Sequence, residues 1–111
     1  MPTLPDIYVS TDIEADGWQP GKNSMLSFGS VALFEDKFIV DKFSANLEPL
    51  PEMAPDESTM QWWKNYPAAW QACRKNCEAP AVAMQKYHDW LKALPGRIIF
   101  VAHPVVFDFG F

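Results

Sequence analysis

Three β-type runs come first in this chain, a proline-rich break follows, and a helical stretch then leads into a fourth apolar run. That order limits the fold more than any other feature. Residues 7–11 (IYVST) are β-branched and aromatic, which predicts a strand. Residues 12–24 collect Asp, Gly, Pro, Lys and Asn, which predicts a loop. Residues 25–34 (MLSFGSVALF) are mostly apolar and predict a buried strand, with Gly29 marking a bulge or close packing. Glu35-Asp36 predicts a hairpin turn, after which residues 37–47 (KFIVDKFSANL) pair back as a third strand. Residues 48–55 hold three prolines and connect. Asp56, Glu57 and Ser58 open a helix, since acidic residues in a first turn suit the helix dipole. This helix carries Met60, Trp62 and Trp63 and stops before Pro67. A second short helix covers residues 67–76, with proline in its first turn. A third begins near Pro80 and ends at Pro95-Gly96. Val82, Met84, Tyr87, Trp90, Leu91 and Leu94 recur at three- and four-residue steps and predict its apolar face. Residues 97–102 (RIIFVA) predict a fully buried fourth strand. A helical crossover makes that strand parallel to one already in the sheet. The expected fold is α/β: a three-stranded antiparallel meander plus a parallel fourth strand, with helices packed on the mixed sheet.

At 111 residues the chain makes one domain at most, residues 1–111. Its 49% apolar and 21% charged content excludes a disordered or coiled-coil chain. No apolar run approaches the roughly 20 residues of a membrane helix. The first residues, MPTLPD, lack the basic and apolar regions of a signal peptide. A soluble, cytoplasmic protein with no membrane partner is expected. The net charge of -5 excludes a nucleic-acid binder that works by positive charge alone. Metal ions reversing the local field would lift that exclusion. Cys73 and Cys77 are read as reduced thiols, and their spacing with His88 matches no usual zinc pattern.

Asp12 and Glu14 stand at the C-terminal end of the first strand. If the strand persists through Glu14, both point to one face, because alternate residues share a side. Two carboxylates there repel each other unless a cation lies between them. Hard divalent cations prefer such oxygen ligands. Asp108 follows the fourth strand by a few residues and can reach the same end of the sheet, where ligands of open crossover sheets gather. Asp108 can equally cap a helix at Phe109.

The stretch 11–20 (TDIEADGWQP) resembles the first motif of the DEDDh 3′–5′ exonucleases, Asp-x-Glu-Thr-x-Gly-Leu-x-Pro. Residues 27–32 (SFGSVA) resemble that family's second strand, and residues 102–111 (AHPVVFDFGF) its second motif, His-Asn-Ala-x-Phe-Asp-x-x-Phe. The resemblance implies a ribonuclease-H-like fold, a five-stranded mixed sheet with helices on both sides. It implies a metal-dependent exonuclease that hydrolyses phosphodiester bonds from the 3′ end of single-stranded RNA or DNA. Two Mg²⁺ or Mn²⁺ ions would be held by Asp12, Glu14 and Asp108, the catalytic carboxylates. Asp12 would bridge both metals. Ala15, Asp16, Gly17, Trp18, His103 and Phe107 would border the substrate's 3′ end. Ala15 replaces the family's threonine and Pro104 its asparagine, and a proline supplies neither an amide side chain nor an N–H. Trp18 falls where the family has a leucine wedged beside the terminal bases, and it either stacks on a base or packs on its own loop. Trp62-Trp63 resembles a paired-tryptophan feature of one exoribonuclease branch, although burial in the core is the expectation for both.

The family's third motif, a histidine followed five residues later by an aspartate, has no position in this sequence. The expectation is therefore an incomplete, C-terminally truncated exonuclease domain with weak or no turnover alone. The contrasting expectation is an inactive fragment that acts only as a binding or self-associating module. Family members are often dimers and the apolar end favours association, so a homodimer is also expected.

Overall fold

The computed structural model describes residues 3–101. Strands β1 (Asp6–Ala15), β2 (Met25–Phe34) and β3 (Ile39–Asn46) come first. Helices α1 (Glu57–Trp63), α2 (Pro67–Cys73) and α3 (Pro80–Ala93) follow, and then β4 (Arg97–Val101). The sheet order is β3-β2-β1-β4. β1–β2 and β2–β3 are antiparallel, while β4 runs parallel to β1. The meander and the parallel fourth strand are as predicted.

β1 is longer than its β-branched run. It continues through Asp12, Glu14 and Ala15 because β2 offers a partner for each residue: Asp12↔Gly29, Ile13↔Phe28 and Glu14↔Ser27. Ile13 is buried in the core. Ladder hydrogen bonds and that burial outweigh the weak strand preference of two acidic residues. Register shifts fall at Glu14/Ala15 and at Ala32/Leu33. Gly29, where a bulge or close packing was expected, sits in regular register without a bulge.

One face of the sheet is covered by α3. Ile7, Val9 and Ile13 of β1 and Phe28 and Ala32 of β2 pack under Ala83, Tyr87, Trp90, Leu91 and Leu94. Beneath the helix, Ser30 Oγ lies 2.8 Å from both Thr11 Oγ1 and Tyr87 Oη. The buried Ser30 hydroxyl is thereby satisfied by two half-buried ones, as a buried polar group must be. The apolar face of α3 differs from the predicted one. Ala83 is fully buried, whereas Val82 is 49% and Met84 37% exposed. Residues 83, 87, 90, 91 and 94 form the more regular helical stripe, and the small Ala83 lets the helix approach the sheet. β4 was expected to be fully buried. Instead Phe100 and Val101 are exposed, because among the described residues β4 pairs only with β1.

α1 and α2 sit at the end of the sheet where β1 finishes. Asp56 caps α1, its carboxylate accepting from Thr59 N–H at 3.0 Å. Leu26 packs with Trp63 and Cys73, and with the half-buried Met60 and Trp70. Arg74, just past α2, donates to the carbonyls of Leu47 (2.9 Å) and Leu26, and its guanidinium lies over the Trp70 ring. α2 ends at Cys73, earlier than its expected end at residue 76, and Asn76 adopts φ 54°. Both cysteines are free thiols. No helix among the described residues is long and apolar enough to cross a membrane.

Candidate metal centre and nucleic-acid cleft

Asp12 and Glu14 lie on the sheet face opposite α3. Their neighbours in β1, Ile13 and Ala15, are buried, while both carboxylates are exposed. The period of two thus sends the acidic pair outward and the apolar residues inward. Across the sheet the two rows continue as Asp12–Gly29–Ser44 and Glu14–Ser27–Asn46. These residues floor an open cleft of about 600 Å³ whose far wall is Trp62, Trp63 and Tyr66. A depression of about 900 Å³ lies at the opposite end of the sheet, beside Leu4, Phe34 and Arg97. There Arg97 is paired with Asp6 at 2.8 Å, and Glu35 and Asp36 sit beside them.

The cleft is built by two local devices. Trp63 is buried and its Nε1–H donates to the Ala15 carbonyl at 3.1 Å, which fixes α1 against the end of β1. Trp62, one residue earlier, faces the cleft and is 48% exposed. Its ring lies 4.7 Å from Tyr66 and 5.0 Å from Trp63. The two tryptophans therefore part company: one is core, as expected for both, and the other is a cleft wall. The second device is Gly29. A Cβ there would meet only the Phe43 carbonyl, at 3.9 Å, so the space beside Asp12 is clear because no side chain fills it.

Electrostatically the acidic pair is uncompensated. Neither carboxylate has a hydrogen bond or ion pair among the described residues. Partial desolvation in the cleft, and secondly the Asp12 charge, raises the pKa of Glu14. An anion held at such a cost is what a hard cation relieves. The donor set, two carboxylates on one strand face, fits a divalent metal. Among the described residues no third His, Cys, Asp or Glu joins them. Asp108, His103 and Phe107 lie outside the described residues.

The turn after β1 holds the other positions singled out in the sequence. Ala15 is buried. Asp16 is also buried, and its carboxylate accepts from Ser24 N–H at 2.6 Å while its own N–H donates to the Ser24 carbonyl. Its side chain is thus spent in closing the loop. Gly17 is buried against Asn23, and a Cβ at Gly17 would overlap the Asn23 side-chain amide. Trp18 projects from the loop with 65% of its surface exposed, so it does not pack on the loop as a cover. His88 is on the exposed surface of α3, beside Asp89. Ser44 and Asn46 carried no signal in the sequence, and Ser27 and Gly29 stood out only as part of a strand, because only strand pairing brings all four beside Asp12 and Glu14.

No protein-family profile matches the chain. Its fold does match solved structures. Escherichia coli exonuclease I bound to a 5cy-dA13 oligonucleotide superposes with a TM-score of 0.74 at 15% identity, over 95% of this chain and 22% of that one. The zinc-bound form of the exonuclease I–single-stranded DNA complex gives 0.74 at 17% identity, over 96% and 22%. In sequence, the chain is 30% identical over its whole length to the E. coli 3′–5′ DNA exonuclease Cap18, of which it spans 57%. The chain is thus similar in sequence to a 3′–5′ DNA exonuclease and in fold to exonuclease I. Its sheet is the ribonuclease-H-like one, and β1 holds the Asp12-x-Glu14 stretch. The chain spans little more than half the length of this curated relative.

Proposed function

We propose that the chain forms part of a metal-dependent 3′–5′ exonuclease that hydrolyses phosphodiester bonds at the 3′ end of single-stranded nucleic acid, with DNA the favoured substrate. The observation that carries this reading is the unpaired Asp12–Glu14 pair on the floor of a cleft with an aromatic wall. The relative Cap18 is a 3′–5′ DNA exonuclease, and the matched exonuclease I structures hold DNA oligonucleotides such as dT13 and dA16. Asp12 and Glu14 would hold divalent metal, Mg²⁺ or Mn²⁺, with Asp108 as the further ligand implied by the family motif. Two such ions, when bound, stabilise both the attacking and the leaving oxygen of a phosphodiester hydrolysis. The chain's own groups do the rest. Rigid β1 fixes the two carboxylates, Gly29 leaves room beside them, and Trp62 and Tyr66 offer π faces to bases without regard to sequence. Trp18 stands exposed at the mouth of the β1–β2 loop, suited to contact with the terminal base. Phosphate then approaches an acidic cleft only when metal neutralises it, which reconciles the substrate with a net charge of -5.

The test is degradation of 5′-labelled single-stranded DNA and RNA in Mn²⁺, with Asp12→Ala as the control. The expected result from the chain alone is at most a slow shortening ladder, which Asp12→Ala abolishes. Metal-dependent binding without a ladder would instead favour a non-catalytic binding module.

A further inference from the structure

A second groove, of about 360 Å³, opens on the outer edge of β3. It shares Ser44 and Asn46 with the cleft, so the two depressions adjoin across that edge. The rows Asp12–Gly29–Ser44 and Glu14–Ser27–Asn46 measure the step between them. Two strand spacings separate the carboxylates from Ser44 and Asn46, roughly 10 Å. Lys75 and Lys86 line the far side. Both are exposed, and Lys75 has no ion pair among the described residues. Lys86 is paired with Glu78 at 2.5 Å, a pair open to solvent on both sides and therefore easily exchanged. The groove is thus a cationic spot on an acidic chain, next to the acidic cleft.

Its lysines are held in place by the fold. Asn46 Nδ2 donates to the carbonyls of Ala72 (2.8 Å) and Lys75 (2.7 Å), tying the end of α2 to the β3 edge. Glu78 N–H donates to the Asn46 carbonyl at 2.9 Å, which fixes the other end of the loop. The loop backbone between them is therefore anchored on both sides of Lys75.

From this adjacency and this charge we infer that the β3-edge groove binds the phosphodiester backbone of the same single strand, a few nucleotides back from the 3′ end. Lys75 and Lys86 contact phosphate, and Glu78 opposes them. This rests on the nuclease reading above, and it adds a length preference: longer strands bind more tightly than a dinucleotide because only they reach the groove.

The experiment measures binding of the chain to 5′-fluorescein oligothymidylate of about ten nucleotides by anisotropy, and to a dinucleotide by NMR shifts. Ca²⁺ serves as the metal throughout. Lys75→Glu/Lys86→Glu is expected to weaken oligonucleotide binding at least tenfold at low salt and leave the dinucleotide unaffected. Its log–log salt slope should become shallower by roughly 1.4, about 0.7 for each phosphate that a lysine no longer neutralises. Glu78→Gln is expected to tighten oligonucleotide binding, a gain that misfolding cannot mimic. Unchanged oligonucleotide affinity in both variants would overturn the groove alone, as would an equal loss for the dinucleotide. An unsubstituted chain that binds no strand of either length would overturn the nuclease reading and the groove with it.

Discussion

Asp12 and Gly29 are partners across β1 and β2, and the carboxylate stands over the one position of β2 that has no side chain. A cleft floor at this point needs both. The strand supplies rigidity, and the missing Cβ supplies the room into which a metal and a phosphate would fit.

Gly29→Val separates these two roles. Its Cβ meets only ordinary van der Waals contact, and valine suits a central strand, so the melting temperature should hold or rise. Nuclease activity should fall at least tenfold because the cleft is filled. Full activity with unchanged stability would show that the space beside Asp12 is not used.

The acidic pair predicts a pH and metal dependence of stability. The folded pKa of Glu14 is raised above 4.5 by desolvation and then by Asp12. The native state therefore holds this proton more tightly than the unfolded chain, and its contribution to stability is lost as pH rises from 4.5 through the raised value. Removing the charge by Glu14→Gln should raise the melting temperature at neutral pH. Asp12→Asn should lower the Glu14 pKa without restoring the ordinary value, since desolvation remains. Mn²⁺ should stabilise the unsubstituted chain and not Glu14→Gln. Carboxyl-carbon NMR titration and thermal melts read each outcome.

Adjacent tryptophans should respond in opposite ways. Trp63 is 4% exposed and hydrogen-bonded to Ala15. Trp63→Ala should cost about 3–5 kcal/mol of stability. Trp62→Ala should leave stability nearly unchanged and weaken single-strand binding by about 1–3 kcal/mol. Denaturant melts alongside binding titrations distinguish the two, and a large stability loss at Trp62 would place it in the core instead.

The β1–β2 loop should tolerate no Cβ at Gly17. Asn23 fills that space while accepting from Gln19 N–H at 3.0 Å and donating to the Ala54 carbonyl at 2.7 Å. It cannot move without giving up both bonds. Gly17→Ala should therefore cost about 1–3 kcal/mol, read by chemical denaturation. A neutral result would mean that the loop relaxes freely.

Much of the frame was legible without coordinates. The run MLSFGSVALF spans β2 end to end, the acidic stretch from Asp56 opens α1, Pro80 opens α3, and the crossover makes β4 parallel. These are local signals: composition, capping chemistry and chain direction act over a few residues. The spacing Asp12-x-Glu14 likewise implied one shared face, given a strand that persists. The sequence could not say that it persists, because the hydrogen bonds that extend β1 come from Gly29 to Ser27 on another strand. Nor could it choose between Trp62 and Trp63, or place the α3 stripe on Ala83 in preference to Val82 and Met84. Each of those depends on the angle at which a helix meets the sheet. Ser44 and Asn46 joined the site only through strand register, since they lie about thirty residues from Asp12 along the chain and about two strand spacings away in space. Short-range chemistry thus determined the elements and the acidic pair, whereas long-range pairing and packing decided which residues surround it.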